Sequence, residues 1–217
     1  MAPLDEEEKR QIIRAFYIPF FLLYLMWLIR TVEFIGGFSL SAFGIYPRTF
    51  GGLIGIIFSP MLHAGYAHLI SNTVPFMVLT SSICYFYRSI AFKVLIIIWI
   101  ITGLCVWLVG REAYHIGASG LIYGCASFLF FSGVIRKNIK LLAISLLTVF
   151  LYGGMVWGIL PIDYRISWES HLFGGLTGMV LAFTYHDQGP KPEEKVWEEE
   201  PDDDPYWEVK EGDNTLN

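Results

Sequence analysis

The segment AFKVLIIIWIITGLCVWLV, residues 91–109, contains one charged side chain, Lys93, among its 19 residues. A helix needs about 20 mainly apolar residues to cross the hydrocarbon core of a bilayer, so this segment predicts a membrane-spanning helix. Five other stretches have a similar length and apolar character: 15–35, 67–87, 116–135, 141–160 and 168–186. The sequence therefore predicts an all-α membrane protein, a bundle of six transmembrane helices.

The composition of the whole chain agrees with this prediction. Of its 217 residues, 54% are hydrophobic and 16% are charged, whereas soluble domains usually contain about 25% charged residues. The formal net charge of −5 argues against a basic protein that binds nucleic acid. The lipid bilayer is thus an expected partner of this chain, and nucleic acid is not.

The two ends of the chain differ from its apolar middle. Residues 187–217 contain 12 acidic and 3 basic residues, and a segment of this kind cannot bury enough apolar surface to fold alone. We therefore predict three parts: a short N-terminal arm, 1–14; a six-span domain, 15–186; and an acidic, disordered tail, 187–217. The acidic run at the start of the arm is atypical of a signal or transit peptide, which favours a bacterial plasma membrane.

The basic residues predict the orientation, because cytoplasmic segments of membrane proteins carry an excess of Lys and Arg. With the N-terminus inside, eight basic residues of the arm and loops are cytoplasmic: Lys9, Arg10, Arg14, Arg88, Lys93, Arg136, Lys137 and Lys140. Four lie outside: Arg30, Arg48, Arg111 and Arg165. Both the arm and the tail are therefore expected on the cytoplasmic side.

A shorter apolar run, Leu53–Leu62, lies between the first two spans and is interrupted by Gly55 and Pro60. It is too short to cross the membrane as a helix. Irregular backbone is tolerated at membrane depth only where other parts of the protein cover it. The sequence therefore predicts a membrane-embedded first loop.

Three polar clusters lie at the starts of predicted spans, and the first contains His63, His68 and Asn72. His68 and Asn72 are four residues apart, so they share one face of the second span. Both side chains donate hydrogen bonds without carrying a full charge, which suits the stabilisation of an oxyanion. Polar residues that link neighbouring helices would give the same pattern, and this alternative stays open.

The second cluster is Gly117-Ala118-Ser119-Gly120, followed by Tyr123 at the start of the fourth span. A helix N-terminus offers free N–H groups and a positive dipole end, which favour negative charge on a reacting oxygen. Close packing of small residues between helices explains most Gly-x-Ser-Gly motifs, so this motif alone is weak.

The third cluster is His171, Gly174 and Gly178 in the sixth span. Their spacing puts them on one stripe of the helix, and the two glycines allow a neighbouring helix to come close. The small-residue face of the Ser119 helix is the expected neighbour.

All three clusters are predicted at the outer ends of spans two, four and six. A serine, a histidine and hydrogen-bond donors at one depth are the minimal set for nucleophilic acyl transfer. Cys84, Cys105 and Cys125 form no CxxC pair, and the chain has no HExxH motif. No metal or cofactor is therefore expected.

The order His-x4-His-x3-Asn, then Gly-x-Ser-Gly with a tyrosine four residues after the serine, then His-x2-Gly-x3-Gly resembles the rhomboid family of intramembrane serine proteases. The resemblance implies that Ser119 is the nucleophile and His171 the general base. It implies an oxyanion hole made by His68, Asn72 and the Ser119 backbone N–H, with Tyr123 packed on His171. Five further residues would support this site: His63, Gly117, Gly120, Gly174 and Gly178.

The implied activity is hydrolysis of peptide bonds in or next to the transmembrane segments of membrane-protein substrates. A catalytically inactive rhomboid-like protein that binds client transmembrane helices is the alternative, although Ser119 and His171 are both kept. A departure from the family pattern is Pro47-Arg48, where the family often has Trp-Arg. The acidic residues near the spans, such as Asp163 and Glu169, are poorly placed to orient His171, so we predict a Ser-His dyad.

Overall fold

The computed structural model describes residues 5–151 and 157–190. The predicted tail from residue 191 onward therefore lies outside the described residues, and so does part of the predicted fifth span. The regular secondary structure of the described residues is entirely helical, apart from an isolated bridge between Ile45 and His115. The predicted all-α fold is confirmed.

The described helices follow the chain in this order: α1 (Glu6–Gly36), α2 (Phe50–Leu53), α3 (Gly55–Phe58), α4 (Tyr66–Phe86), α5 (Ala91–Val109), α6 (Ser119–Arg136), α7 (Ile139–Leu151) and α8 (Trp168–Thr184). Four of them, α1, α4, α5 and α6, are long and apolar enough to cross a membrane. The helices α7 and α8 have 13 and 17 residues. The count of six spans therefore stays a prediction.

Helix α1 begins at Glu6, well before the predicted first span at residue 15. Its start is fixed by a reciprocal cap, in which the Glu8 amide donates to the Asp5 side chain at 2.6 Å and the Asp5 amide donates to Glu8 Oε2 at 3.2 Å. Such a cap satisfies N–H groups that have no partner within the helix. Helix α1 has 31 residues, and at about 1.5 Å per residue its length exceeds the thickness of the hydrocarbon core.

The loop between α1 and α4 contains short helical turns that other parts of the protein hold in place. Two tryptophans of α5 donate to its backbone: Trp99 Nε1 to the Ile56 carbonyl and Trp107 Nε1 to the Thr49 carbonyl, both at 2.8 Å. Arg48, with a φ of 58°, donates from Nη1 to the Gly110 carbonyl at 2.8 Å. Two carbonyl groups of the loop are thus bonded to side chains of α5. The Arg48 side chain adds a bond to the residue that follows α5.

Helix α6 lies at the centre of the bundle, in contact with α4, α5, α7 and α8. Its closest neighbour is α8, and glycines line the crossing of the two helices. A Cβ atom at Gly174 would overlap the Gly120 carbonyl, and one at Gly178 would overlap the Gly124 carbonyl. The two backbones are therefore in direct contact, as predicted from the small-residue stripes. This contact brings the first turns of α6 and α8 together.

Candidate active site

Ser119 and His171 meet where the first turns of α6 and α8 cross. The distance between Ser119 Oγ and His171 Nε2 is 2.8 Å, which is hydrogen-bond length. His171 is buried, whereas Ser119 is partly exposed. The nucleophile and the base inferred from the sequence therefore lie in contact, although 52 positions separate them in the chain.

The turn before α6 places Ser119 at the helix N-terminus. Gly117 has a φ of +114°, a conformation that side chains with a Cβ rarely adopt. Its amide donates to the Ser59 carbonyl at 2.8 Å, which ties this turn to the first loop. A Cβ at Gly117 would also lie 2.6 Å from His68 Cε1. Glycine at this position thus lets the His68 ring approach the turn that carries the serine.

The second ring nitrogen of His171 fixes the tautomer of the imidazole. Nδ1 lies 2.8 Å from the carbonyl oxygen of Gly158, and a carbonyl only accepts hydrogen bonds. Nδ1 therefore carries the proton, which leaves the Nε2 lone pair free to accept the Ser119 hydroxyl. This is the tautomer that a general base requires.

Sequence reasoning missed Gly158, because any residue type supplies a backbone carbonyl. The Gly158 carbonyl can accept from His171 only because the loop before α8 passes close to the His171 ring. No pattern of side chains in the sequence predicts the path of that loop. In a serine triad a carboxylate orients the histidine. Here a carbonyl takes that position, in agreement with the expectation that neither Asp163 nor Glu169 orients the ring.

Tyr123 lies one turn after Ser119 and stacks on His171. The ring centroids are 4.1 Å apart and the planes differ by 7°. Two contacts therefore fix the orientation of the imidazole: stacking on Tyr123 restricts its tilt, and the hydrogen bond to Gly158 restricts its rotation. The packing implied by the family resemblance is present in the structure.

The predicted oxyanion donors lie on α4, opposite Ser119. Asn72 Nδ2 lies 3.0 Å from His63 Nε2, and the His63 and His68 rings meet edge to face with centroids 5.0 Å apart. Burial lowers the pKa of His63 to about 3, so His63 is neutral and its Nε2 accepts from Asn72. Since an amide nitrogen carries two hydrogens, the second N–H of Asn72 is left to donate to a substrate. The His63 ring thus holds one N–H group of Asn72.

These groups line one cavity of about 930 Å³. Its wall includes the predicted site residues His68, Asn72, Ser119, Tyr123 and His171. Gly120 is buried within the same first turn of α6. The backbone N–H groups of that turn have no acceptor within the helix, so they add donors beside the serine hydroxyl. The cavity therefore combines a nucleophile, a base and several neutral donors.

The acidic residues near the spans are engaged elsewhere. Asp163 binds Arg165 through Oδ2 and Nη2 at 2.9 Å, and the hydrogen bonds from Arg165 lower the pKa of this carboxyl group. Glu169 is buried against Arg111 at 3.6 Å. Glu112 faces Arg48 at 3.6 Å. Neither nitrogen of His171 is bonded to any of these carboxylates in the described part of the chain.

The sequence is similar to a known protein domain and to several mycobacterial proteins. A family model described as the Rhomboid domain matches residues 51–188. Uncharacterized proteins of Mycobacterium tuberculosis and Mycobacterium bovis are each 36% identical over 168 residues, which cover 73% of this chain and 70% of theirs. One of Mycobacterium leprae is 34% identical over 169 residues, covering 73% of this chain and 66% of its own. Because the domain match spans more than half of the sequence, this chain belongs to the rhomboid family.

Proposed function

We propose that this protein is an intramembrane serine endopeptidase that cleaves peptide bonds in or next to the transmembrane segments of membrane-protein substrates. The observation that carries the proposal is the 2.8 Å contact between Ser119 Oγ and an Nε2 atom whose lone pair faces it. Membership of the rhomboid family supports it, since that family consists largely of intramembrane proteases.

In the proposed reaction, His171 Nε2 takes the hydroxyl proton while Ser119 Oγ attacks the scissile carbonyl carbon. The carbonyl oxygen becomes an oxyanion held by Asn72, His68 and the N–H groups at the start of α6. His171 then gives its proton to the leaving amine, and the acyl-enzyme forms. Water repeats the sequence with the same base and releases the acid product. The 930 Å³ cavity supplies the room for that water.

The proposed setting is a bacterial plasma membrane crossed six times, with both termini in the cytoplasm and the protease domain within residues 15–186. Helix α8 has 17 residues and is about 25 Å long at 1.5 Å per residue, near the thickness of the hydrocarbon core. Helix α7 reaches residue 151, where the described residues stop within the predicted fifth span. Loop residues such as Tyr114 and Asp163 line the cavity, which supports entry of water from the outer face.

The decisive experiment is labelling of the purified wild-type protein with a fluorophosphonate, which reacts with activated serines. We expect the modified peptide to carry the label on Ser119, and we expect the same preparation to cleave a single-span substrate in proteoliposomes. Ser127 lies on the same helix and donates to the Gly175 carbonyl at 2.7 Å, so it should stay unlabelled. An unlabelled Ser119, together with binding but no cleavage of the substrate, would favour the inactive client-binding alternative.

Replacement of Asn72 by alanine tests the oxyanion hole. Loss of one preorganised donor typically lowers kcat about 10²- to 10³-fold, and we expect a fall in this range with KM within threefold of wild type. Steady-state cleavage kinetics measure both constants. The adjacent Thr73→Ala variant serves as the control, because Thr73 Oγ1 bonds to Trp27 on α1 rather than to the cavity. A kcat that stays within threefold of wild type in Asn72→Ala would exclude Asn72 as a donor.

A further inference from the structure

An ion pair between a partly exposed arginine and a buried glutamate lies beside the dyad but takes no part in the proposed chemistry. It joins Arg111, in the loop between α5 and α6, to Glu169, in the first turn of α8. The Arg111 amide donates to Glu169 Oε1 at 3.3 Å, and Arg111 Nη1 lies 3.6 Å from Glu169 Oε2. Glu169 is 3% exposed. Neither Nη1 nor Oε2 has a hydrogen-bond partner among the described residues, and Oε2 also lies 3.9 Å from His115 Nδ1.

The same guanidinium also holds the loop that precedes α8. Arg111 Nη2 donates to the carbonyls of Tyr164 and Ile166 at 2.9 and 2.6 Å, and the guanidinium lies 5.8 Å from the Tyr164 ring centroid. A guanidinium presents its donors in a rigid planar fork, whereas an ammonium is a single point of charge. Arginine at this position can therefore donate to two carbonyls while its other nitrogen faces the Glu169 carboxylate, and lysine cannot.

His115 makes a second connection between the same two loops. Its Nε2 donates to the Arg111 carbonyl at 3.0 Å, and its Nδ1 accepts from Ser167 Oγ at 2.6 Å. Burial lowers the pKa of His115, which keeps the ring neutral and its Nδ1 able to accept. The backbone of Arg111 is thus held from one side by His115 and its side chain from the other by Glu169.

The loop held in this way forms part of the cavity wall. Residues 163–167 all line the 930 Å³ cavity that contains Ser119 and His171. The same connection passes Gly158, whose carbonyl accepts from His171. One end of the loop therefore meets the catalytic base, and the other end is fixed by Arg111.

We propose that Arg111 and Glu169 are positioning residues that hold residues 163–167 as a wall of the substrate cavity. They set how tightly a transmembrane substrate binds, while Ser119 and His171 carry out the chemistry. This inference rests on the proposed function. The direct contact of α6 with α8 maintains the dyad without the ion pair, because it depends on Gly120 and Gly124 of α6 and on Gly174 and Gly178 of α8.

Kinetics of Arg111→Lys and Glu169→Gln test this role. We expect KM for a single-span substrate to rise at least tenfold, with kcat and the rate of Ser119 labelling by a small fluorophosphonate within threefold of wild type. The matched control is Arg30→Lys, since Arg30 makes a comparable pair with the buried Glu33 at 3.2 Å but does not line the cavity. An unchanged KM overturns the proposal. A labelling rate that falls as far as cleavage also overturns it, since the dyad itself would then be displaced.

Hydrogen exchange gives a readout that needs no activity. In the Ser119→Ala background, the peptide covering residues 162–169 should exchange at least tenfold faster in Arg111→Lys than in the parent, and Arg30→Lys should match the parent. Equal exchange in Arg111→Lys and the parent overturns the proposal. A wild-type protein that neither labels nor cleaves refutes the proposed function instead, and the exchange result still decides whether Arg111 holds the loop.

Discussion

Alanine in place of His171 is expected to lower kcat by about 10⁴- to 10⁶-fold, and alanine in place of Ser119 by a similar factor. In a serine hydrolase the serine and histidine act as one unit, since a hydroxyl without a base is a poor nucleophile. In this chain the proposed unit is defined by the 2.8 Å contact and by the Nδ1 bond to Gly158. The double variant should therefore be no slower than the slower single variant.

The measurement is single-turnover cleavage of a single-span substrate in proteoliposomes, with thermal unfolding recorded in parallel. Loss of the buried His171 ring leaves the Gly158 carbonyl without its donor, which costs about 1 to 3 kcal/mol, so unfolding must be measured separately from the chemical step. His186→Ala is a matched control, because the His186 side chain is exposed and bonds to the Phe183 carbonyl. Cleavage retained in either dyad variant would rule out the mechanism.

Apolar runs in the sequence predict the helix bounds closely where the run is long and uninterrupted. The predicted segment 91–109 coincides with α5, and the predicted 116–135 lies within three residues of α6 at both ends. Hydropathy is informative here because a bilayer penalises every polar group in a spanning helix. The start of α1 at Glu6 is different, since it depends on the cap between Asp5 and Glu8. That signal stands in the sequence as an acidic residue three positions before a glutamate, and hydropathy does not detect it.

For the candidate site, too, the sequence predicts some of the contributing residues and not others. The sequence indicates Ser119, His171 and Asn72, because the chemistry needs their side chains and the topology puts them near the same ends of their helices, and the resemblance to the rhomboid family implies the role of Tyr123. The Gly158 carbonyl is not indicated, since it has no residue-specific signature. The Arg111–Glu169 pair was missed as well. The partners are 58 positions apart, and only the path of the loop before α8 brings them together.

A single methyl group at Gly174 is expected to separate α6 and α8, the helices that carry Ser119 and His171. The Cβ of Gly174→Ala would overlap the Gly120 carbonyl of α6, so the backbones must move apart for the variant to fold. A displacement of about 1 Å near a reacting pair can cost about 10²-fold in rate. We therefore expect the rate of Ser119 labelling and the kcat for cleavage to fall at least about 100-fold, with a fall in stability of about 1 to 3 kcal/mol from overpacking.

Gly175→Ala provides a matched control one residue further along α8. A Cβ at Gly175 has nothing within 4 Å, and alanine favours a helix over glycine by about 1 kcal/mol. This variant should therefore label and cleave like the wild type and unfold at an equal or higher temperature. The comparison separates two explanations of the glycines in α8. If flexibility of the helix mattered, both variants would lose activity, whereas close approach of α6 and α8 requires that only Gly174→Ala does so. Equal activity in the two variants would refute the claim that this backbone contact sets the distance between Ser119 and His171.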